Sequence, residues 1–136
     1  MKRPMTDQKR AVFPAGTSSD AGPPFSPGLV VGDAVYVAGQ GPLDPHTHEI
    51  AGTTIEEQTR LTLENVRRVL EAAGCAMDDC VKVTAHLARI EDFDRYNAVY
   101  RTFFEQPYPV RTTVQSVLWG GMLVEIDAVA VKGCAR

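Results

Sequence analysis

The chain has 136 residues, of which 44% are hydrophobic and 23% are charged, and its formal net charge is −3 at pH 7. These values are typical of one globular domain, and they exclude a largely disordered chain. They also disfavour nucleic acid as a partner, because binding a phosphate backbone requires clustered lysines and arginines.

The first ten residues are basic, and no apolar segment of a secretory signal follows them. No run approaches the roughly 20 apolar residues that a membrane span needs. The three cysteines, Cys75, Cys80 and Cys134, form no C-x-x-C pair, which favours free thiols in a reducing compartment. We therefore expect a flexible N-terminus over residues 1–10 and a single cytoplasmic domain over residues 11–136, without a membrane partner.

The first predicted structure after the N-terminus is a loop followed by a β-hairpin. Residues 16–28 are rich in Ser, Gly and Pro, which predicts an irregular loop. Two β-rich runs, residues 29–31 and 34–38, then flank Gly32 and Asp33. A two-residue turn between such runs is typical of a hairpin.

A helix is predicted to begin at Thr54. Thr54 and Glu57 have the spacing of a capping box, and Gly74 suits the position just after a helix end. Between them, apolar residues recur with a 3.6-residue period. The spacing also predicts two i,i+4 ion pairs on the exposed face, Glu56 with Arg60 and Glu64 with Arg68.

Residues 81–87 alternate strictly between apolar and polar types, which predicts a strand. From Asp92 onward, aromatic residues recur at helical spacing up to Phe104, and Pro107 and Pro109 end the pattern. Two final strands are expected over residues 111–117 and 122–131.

The element order β-β-α-β-α-β-β predicts an α+β fold with one mixed sheet and two helices packed on one face. The last strand, however, is apolar on both faces. Met122, Val124, Ile126, Ala128 and Ala130 point one way, and Leu123, Glu125, Asp127, Val129 and Val131 point the other way. Because two helices cover only one face, the second face is expected to meet another subunit.

Charged residues are sparse in the C-terminal strands, so Arg111, Glu125 and Asp127 are conspicuous there. A guanidinium can bind a carboxylate through two parallel hydrogen bonds, and a nearby glutamate can deprotonate a water. One interpretation is therefore a ligand site. The other, equally open from these strands alone, is a structural Arg–Glu pair at a subunit contact.

No metal site is predicted. His46 and His48 lie in a turn-like loop without flanking ligands at zinc spacing, and we expect that loop to be solvated. His86 shares a strand face with Lys82 and Thr84 and is expected to be a packed or interfacial histidine.

At this level of detail the chain resembles the Rid family, also called YjgF, of reactive-intermediate enamine/imine deaminases. The similarity extends from about residue 13 to residue 131. It is carried by residues 37–40 (VAGQ), 42–45 (PLDP), 57–60 (EQTR), 63–66 (LENV), 70–74 (LEAAG), 109–111 (PVR) and 123–130 (LVEIDAVA), with Asp92, Phe93, Asn97, Tyr100, Phe103 and Phe104 between them.

The resemblance implies a chorismate-mutase-like fold in a homotrimer with a central barrel and three sites in the clefts between subunits. It implies that Arg111 binds the carboxylate of a small-molecule substrate and that Glu125 positions the hydrolytic water, without cofactor or metal. The expected substrate-binding residues are Phe25, Ala38, Gly39, Asn97, Thr113 and Trp119.

Some positions depart from the family pattern. Phe25, Ala38 and Thr113 stand where deaminases of the family commonly have Tyr, Ser and Cys, and the turn at residues 118–121 is one residue shorter. These departures favour a divergent subgroup whose substrate is larger or aromatic and stacks near Phe25 or Trp119.

The leading functional hypothesis is hydrolysis of a C=N bond with release of ammonia. Imines hydrolyse readily, so that positioning and one acid/base group suffice. The alternative is a noncatalytic small-molecule-binding or stress-response protein that uses the same cleft. Ribonuclease activity is disfavoured by the net charge and by the lack of a histidine-based acid/base pair. The sequence leaves the substrate and its pathway open.

Overall fold

The computed structural model describes residues 8–15, 17 and 22–135. Six strands form one sheet in the order β1-β2-β3-β6-β4-β5. Their bounds are β1 Arg10–Val12, β2 Gly28–Val31, β3 Ala34–Gln40, β4 Cys80–Leu87, β5 Val110–Gln115 and β6 Val124–Val131. Strands β4 and β5 are parallel, and all other neighbours are antiparallel. The last strand of the chain thus lies inside the sheet, whereas β5 lies at an edge.

Two α-helices cover the sheet, α1 at Ile55–Ala72 and α2 at Phe93–Tyr100, and a 3-10 helix at Arg101–Phe103 continues α2. The predicted capping box begins α1: the Glu57 N–H donates to the Thr54 hydroxyl and the Thr54 N–H donates to the Glu57 carboxylate, both at 3.1 Å. Gly74, with a φ of +80°, follows the helix end. The predicted start and end of α1 are confirmed.

The hydrophobic core lies between the helices and one side of the sheet, which we call the helix-facing side. In β6, four alternate residues are fully buried in this core: Val124, Ile126, Ala128 and Ala130. They pack in one cluster with the apolar residues of α1 and α2. A mixed sheet with two helices on one face, as predicted, is therefore confirmed.

The other face of the sheet, which we call the open side, carries no helix. Glu125, Asp127 and Val129 of β6 lie here, half-buried by their strand neighbours. Apolar side chains of other strands are exposed on this face, among them Tyr36 at 49% and Val110 at 68%. The sequence pattern of two apolar faces is thus present in the fold, and one of the two faces is uncovered.

Some local predictions were wrong. Strand β1 was not predicted, because three residues are too short to show a period. Leu123, predicted on the outer face of the last strand, precedes β6 and packs against the core.

The predicted ion pairs of α1 also have different partners. Glu56 pairs with Arg95 of α2 at 2.7 Å, and Glu64 pairs with Arg67 at 2.8 Å. In the part of the chain that the structure describes, no helix has the length and hydropathy to cross a bilayer. Residues 1–7 of the predicted flexible N-terminus, which was expected over residues 1–10, and the loop residues 16 and 18–21 lie outside the described residues.

Candidate functional site

Arg111 lies on the helix-facing side of the sheet, at its edge. It pairs in register with buried Val83 of β4, so that its side chain is directed towards α2. There the Arg111 Nη1 donates a 2.7 Å hydrogen bond to the Asn97 side-chain oxygen. The guanidinium carbon lies 4.6 Å from the ring centre of Tyr100 and 5.6 Å from that of Tyr96. Helix α2 therefore fixes the guanidinium through one hydrogen bond and several ring faces.

The Arg111 guanidinium retains most of its binding capacity. It has five N–H donors, and Asn97 takes one of them. No carboxylate forms an ion pair with it within the described residues. It borders a cavity of about 330 Å³ lined by Asn97, Tyr100, Arg101, Tyr108, Pro109 and Arg111. A cavity with this lining suits an anion that can accept two parallel hydrogen bonds, such as a carboxylate.

The tyrosines around Arg111 remain neutral hydroxyl groups. Burial raises the pKa of Tyr96 and Tyr100 above the ordinary value, and the positive charge of Arg111 opposes this shift only in part. The hydroxyls of Tyr96, Tyr100 and Thr113 are buried without a hydrogen bond of good geometry. The positive charge of Arg111 is thus not neutralised by a phenolate.

Glu125 lies on the open side of β6, in register with His86 of β4. It also faces Gly39, which belongs to an irregularity in the pairing of β3 with β6 between Val37 and Gln40. A Cβ atom on Gly39 would lie 2.9 Å from the Glu125 Oε2. Glycine at this position therefore gives the carboxylate room against the strand. Glu125 forms no hydrogen bond or ion pair through its carboxylate among the residues described.

Three further predicted site residues are Ala38, Phe25 and Trp119. The N–H of Ala38, next to Gly39, donates a 2.9 Å hydrogen bond to the Pro27 carbonyl. This hydrogen bond connects β3 to the loop that carries Phe25. Phe25 itself is 62% exposed. Trp119 is 74% exposed in a turn where Gly120 has a φ of +66°, and it does not line the cavity at Arg111.

The predicted residues thus form two groups. Arg111, Asn97 and Thr113 lie at the edge of the helix-facing side, whereas Ala38, Gly39 and Glu125 lie around the open side. No ion pair joins Arg111 to Glu125 within one chain. The two charged groups of the predicted site are therefore separated by the sheet.

Sequence reasoning overlooked several residues near these groups. Tyr96 and Tyr100 were predicted only as part of an aromatic helix face, and Arg101 and Tyr108 were not considered. An arginine that shortly follows an aromatic helix was the available signal. The His86 Nδ1 lies 2.8 Å from the Ser116 Oγ, beside Glu125. His46 and His48 are exposed, and no group of three or more potential metal ligands occurs in the described ranges.

Comparisons with known proteins bear on the family and the fold of the chain. Residues 16–132 match the family model described as Endoribonuclease L-PSP. A RutC family protein of Saccharolobus solfataricus is 47% identical over 80% of this chain and 87% of its own length. The human 2-iminobutanoate/2-iminopropanoate deaminase is 32% identical over 95% of each chain. The crystal structure of E. coli TdcF with bound serine superposes with a TM-score of 0.82 at 34% identity, covering 91% of this chain and 99% of TdcF.

Proposed function

Because the chain belongs to the Rid (YjgF) family, we propose that it is a deaminase that hydrolyses the C=N bond of a carboxylate-bearing imine and releases ammonia. Deaminases of such imines are among its relatives, at 32% identity for the human protein. The observation that carries the proposal is the Arg111 guanidinium, which is held by Asn97, borders a cavity and has no acidic partner among the described residues.

In this proposal Arg111 binds and orients the substrate. The bond to Asn97 and the Tyr100 ring hold the guanidinium plane, so that two of its free N–H groups can meet a carboxylate side by side. The imine carbon, one bond away from that carboxylate, is then held in a fixed place. A fixed place for the reacting carbon is the main requirement for adding water to a C=N bond.

Glu125 acts as the general base. Its carboxylate takes a proton from a water as the oxygen of that water bonds to the imine carbon, and the C=N bond becomes a C–N single bond. The protonated Glu125 then returns the proton to the nitrogen. Glu125 then carries the hydroxyl proton of the intermediate to the amino nitrogen, so that the C–N bond breaks, ammonia leaves and the carbonyl of the keto acid forms. No step requires a cofactor or a metal.

We further propose that the complete site lies between two subunits of a homotrimer. Arg111 lies on the edge strand β5, and Glu125 lies on the opposite face of the sheet, so one chain cannot present both to the same substrate. The uncovered apolar side chains, including Tyr36 and Val110, favour burial of the open side in a central barrel. The edge strand of one subunit would then approach the Glu125 of the next. The chain would act in the cytoplasm.

The test combines two inactive variants. Arg111→Ala and Glu125→Gln are expected to lose most activity separately, measured as hydrolysis of an imine generated in situ. Mixed subunits at equal amounts should regain about a quarter of the parental activity, because one site in four then combines an intact Arg111 with an intact Glu125 from the neighbour. No recovery in a mixed oligomer would contradict the shared site.

The alternative is a protein that binds small molecules without turning them over. The serine bound to TdcF, a structure at 34% identity, favours keeping this second function in the test. Calorimetry with a stable carboxylate distinguishes the two functions. Binding that depends on Arg111, without hydrolysis of any imine by the parent protein, would favour the alternative.

A further inference from the structure

The cavity at Arg111 contains a second guanidinium. Arg101, in the 3-10 helix that continues α2, lines the same cavity as Arg111 and Tyr108. Arg101 is exposed, and no hydrogen bond or ion pair engages it in the part of the chain described. The cavity therefore has two cationic groups, and only the inner one is held in place by neighbouring side chains.

The charge of this cavity is not balanced by its lining. None of the residues that line it is acidic, and Asn97 and Tyr108 contribute polar side chains. Two positive charges that border one cavity raise the local concentration of anions, and they favour a dianion over a monoanion. The two arginines that line the cavity thus carry more positive charge than one carboxylate neutralises.

The volume of the cavity also favours a ligand with two anionic groups. Its volume of about 330 Å³ is far above the roughly 10–15 Å³ that a cavity needs to hold one water. A single carboxylate fills only a small part of this space. A four-carbon chain with a carboxylate at each end is small enough to enter this space.

We propose that the preferred substrates are 2-imino acids with a second carboxylate on the side chain, and that Arg101 binds this second carboxylate. The inference rests on the proposed deaminase function and specifies its substrate class. Arg111 binds the carboxylate next to the imine carbon, and Arg101 determines the preference for a dianion. Because Arg101 is exposed, the preference is moderate and decreases as added salt screens the charge.

The experiment compares two imines of equal chain length. The imines of aspartate and of 2-aminobutanoate are generated in situ by the corresponding amino-acid oxidases, with semicarbazide present as a trap. Hydrolysis by the protein is read as the decrease in semicarbazone formation. The parent protein should prefer the dicarboxylate imine by about fivefold in kcat/KM, the order expected of one partly exposed charge-assisted hydrogen bond.

Three variants test the assignment. Arg101→Ala should remove the preference, and Arg101→Glu should reverse it. Arg60→Ala removes an exposed arginine of α1 that does not line the cavity, and it should leave the ratio of the two rates unchanged. Equal rates for both imines in the parent, or a preference that survives Arg101→Glu, would overturn the inference and leave the deaminase function intact.

A binding measurement separates this inference from the deaminase function. If neither imine is hydrolysed, the proposed function is wrong, and calorimetry with succinate and butanoate then decides whether the cavity prefers dianions. Tighter binding of succinate that is lost in Arg101→Ala supports the assignment of Arg101. Equal binding of the two acids overturns it.

Discussion

The two faces of the sheet differ in whether other parts of the same chain cover them. On the helix-facing side, α1 and α2 bury every second residue of β6, and Arg111 at its edge finds Asn97 and aromatic rings in the same chain. On the open side, the Glu125 carboxylate has no hydrogen-bond or ion-pair partner among the described residues, and Tyr36 and Val110 are exposed on the same face. One face is thus covered by its own chain, whereas the other is left uncovered and would be buried in the proposed homotrimer.

The comparison shows how a short chain can build a two-group site. A guanidinium and a carboxylate on the same face of one sheet would neutralise each other as an ion pair. The sheet keeps Arg111 and Glu125 apart, so each remains available to a ligand. Assembly would then bring the two groups together around a substrate without a direct pair inside one chain.

The largest expected effect on stability comes from comparing two separate variants, each with one aspartate introduced on a different face of the sheet. Ala128 is buried on the helix-facing side, and its neighbour Val129 lies on the open side. Ala128→Asp should destabilise the fold by about 4 kcal/mol or more, because an unpaired carboxylate enters the core. Val129→Asp should leave the chain folded and instead dissociate the oligomer.

Circular dichroism during heating and light scattering distinguish the two outcomes. Ala128→Asp should give a strongly lowered midpoint or no folded protein, and Val129→Asp should give a folded particle of lower mass. A Val129→Asp protein that keeps the mass of the parent would mean that the open side is not an interface.

The next effect concerns the open-side carboxylate. Glu125→Gln keeps the shape of the side chain but removes the base, so kcat should fall by about a hundredfold while KM changes little. Steady-state kinetics with an in situ imine measure both constants. Glu49→Gln, an exposed glutamate in a loop, is the matched control and should keep the parental kcat. A fall in kcat/KM that comes only from KM would instead assign Glu125 to binding.

A somewhat smaller effect is expected on the helix-facing side. Arg111→Lys retains the charge but loses the planar pair of donors, so kcat/KM should fall by about ten- to a hundredfold. The variant must keep the mass and melting temperature of the parent. Parental turnover in a variant that meets both conditions would make Arg111 a structural residue.

The sequence predicted the layers of the fold because periodicity reports which residues are buried. The alternation in residues 81–87 was sufficient to predict β4, and the capping box at Thr54 was sufficient to predict the start of α1. Strand order was not accessible, since pairing β6 between β3 and β4 depends on contacts distant in sequence. The predicted partner of Glu56 was wrong for the same reason: Arg95 reaches Glu56 only through the packing of α2 on α1.

The candidate site was predictable in part. The unusual positions of Arg111 and Glu125 in apolar strands were visible, but their placement on opposite faces was not, because the relative register of β4, β5 and β6 sets it. The cavity at Arg111 could not be predicted from the sequence either. Arg101 and Tyr108 approach Arg111 only after α2 and the segment before β5 fold together.

The smallest expected effect lies in the helix layer, at the cap of α1. The carboxylate of Glu57 accepts hydrogen bonds from the N–H groups of Thr53 at 3.0 Å and Thr54 at 3.1 Å, and these bonds lower its pKa from the ordinary value of 4.5. A lowered folded-state pKa stabilises the fold fully above the unfolded-state pKa, and this contribution is lost as the pH falls through the folded-state value. The neutral side chain of the Glu57→Gln variant makes no such pH-dependent contribution to stability.

Urea unfolding of the parent and of Glu57→Gln should therefore differ by a small, constant amount from about pH 7 to about pH 5, and the difference should shrink below about pH 4. Particle mass and kcat/KM should stay at the parental values, because the cap belongs to the layer that the chain completes by itself. A difference in unfolding midpoint that persists undiminished at low pH would mean that Glu57 stabilises α1 without its charge. A change in mass would mean that the helix layer, and not only the open side, takes part in assembly.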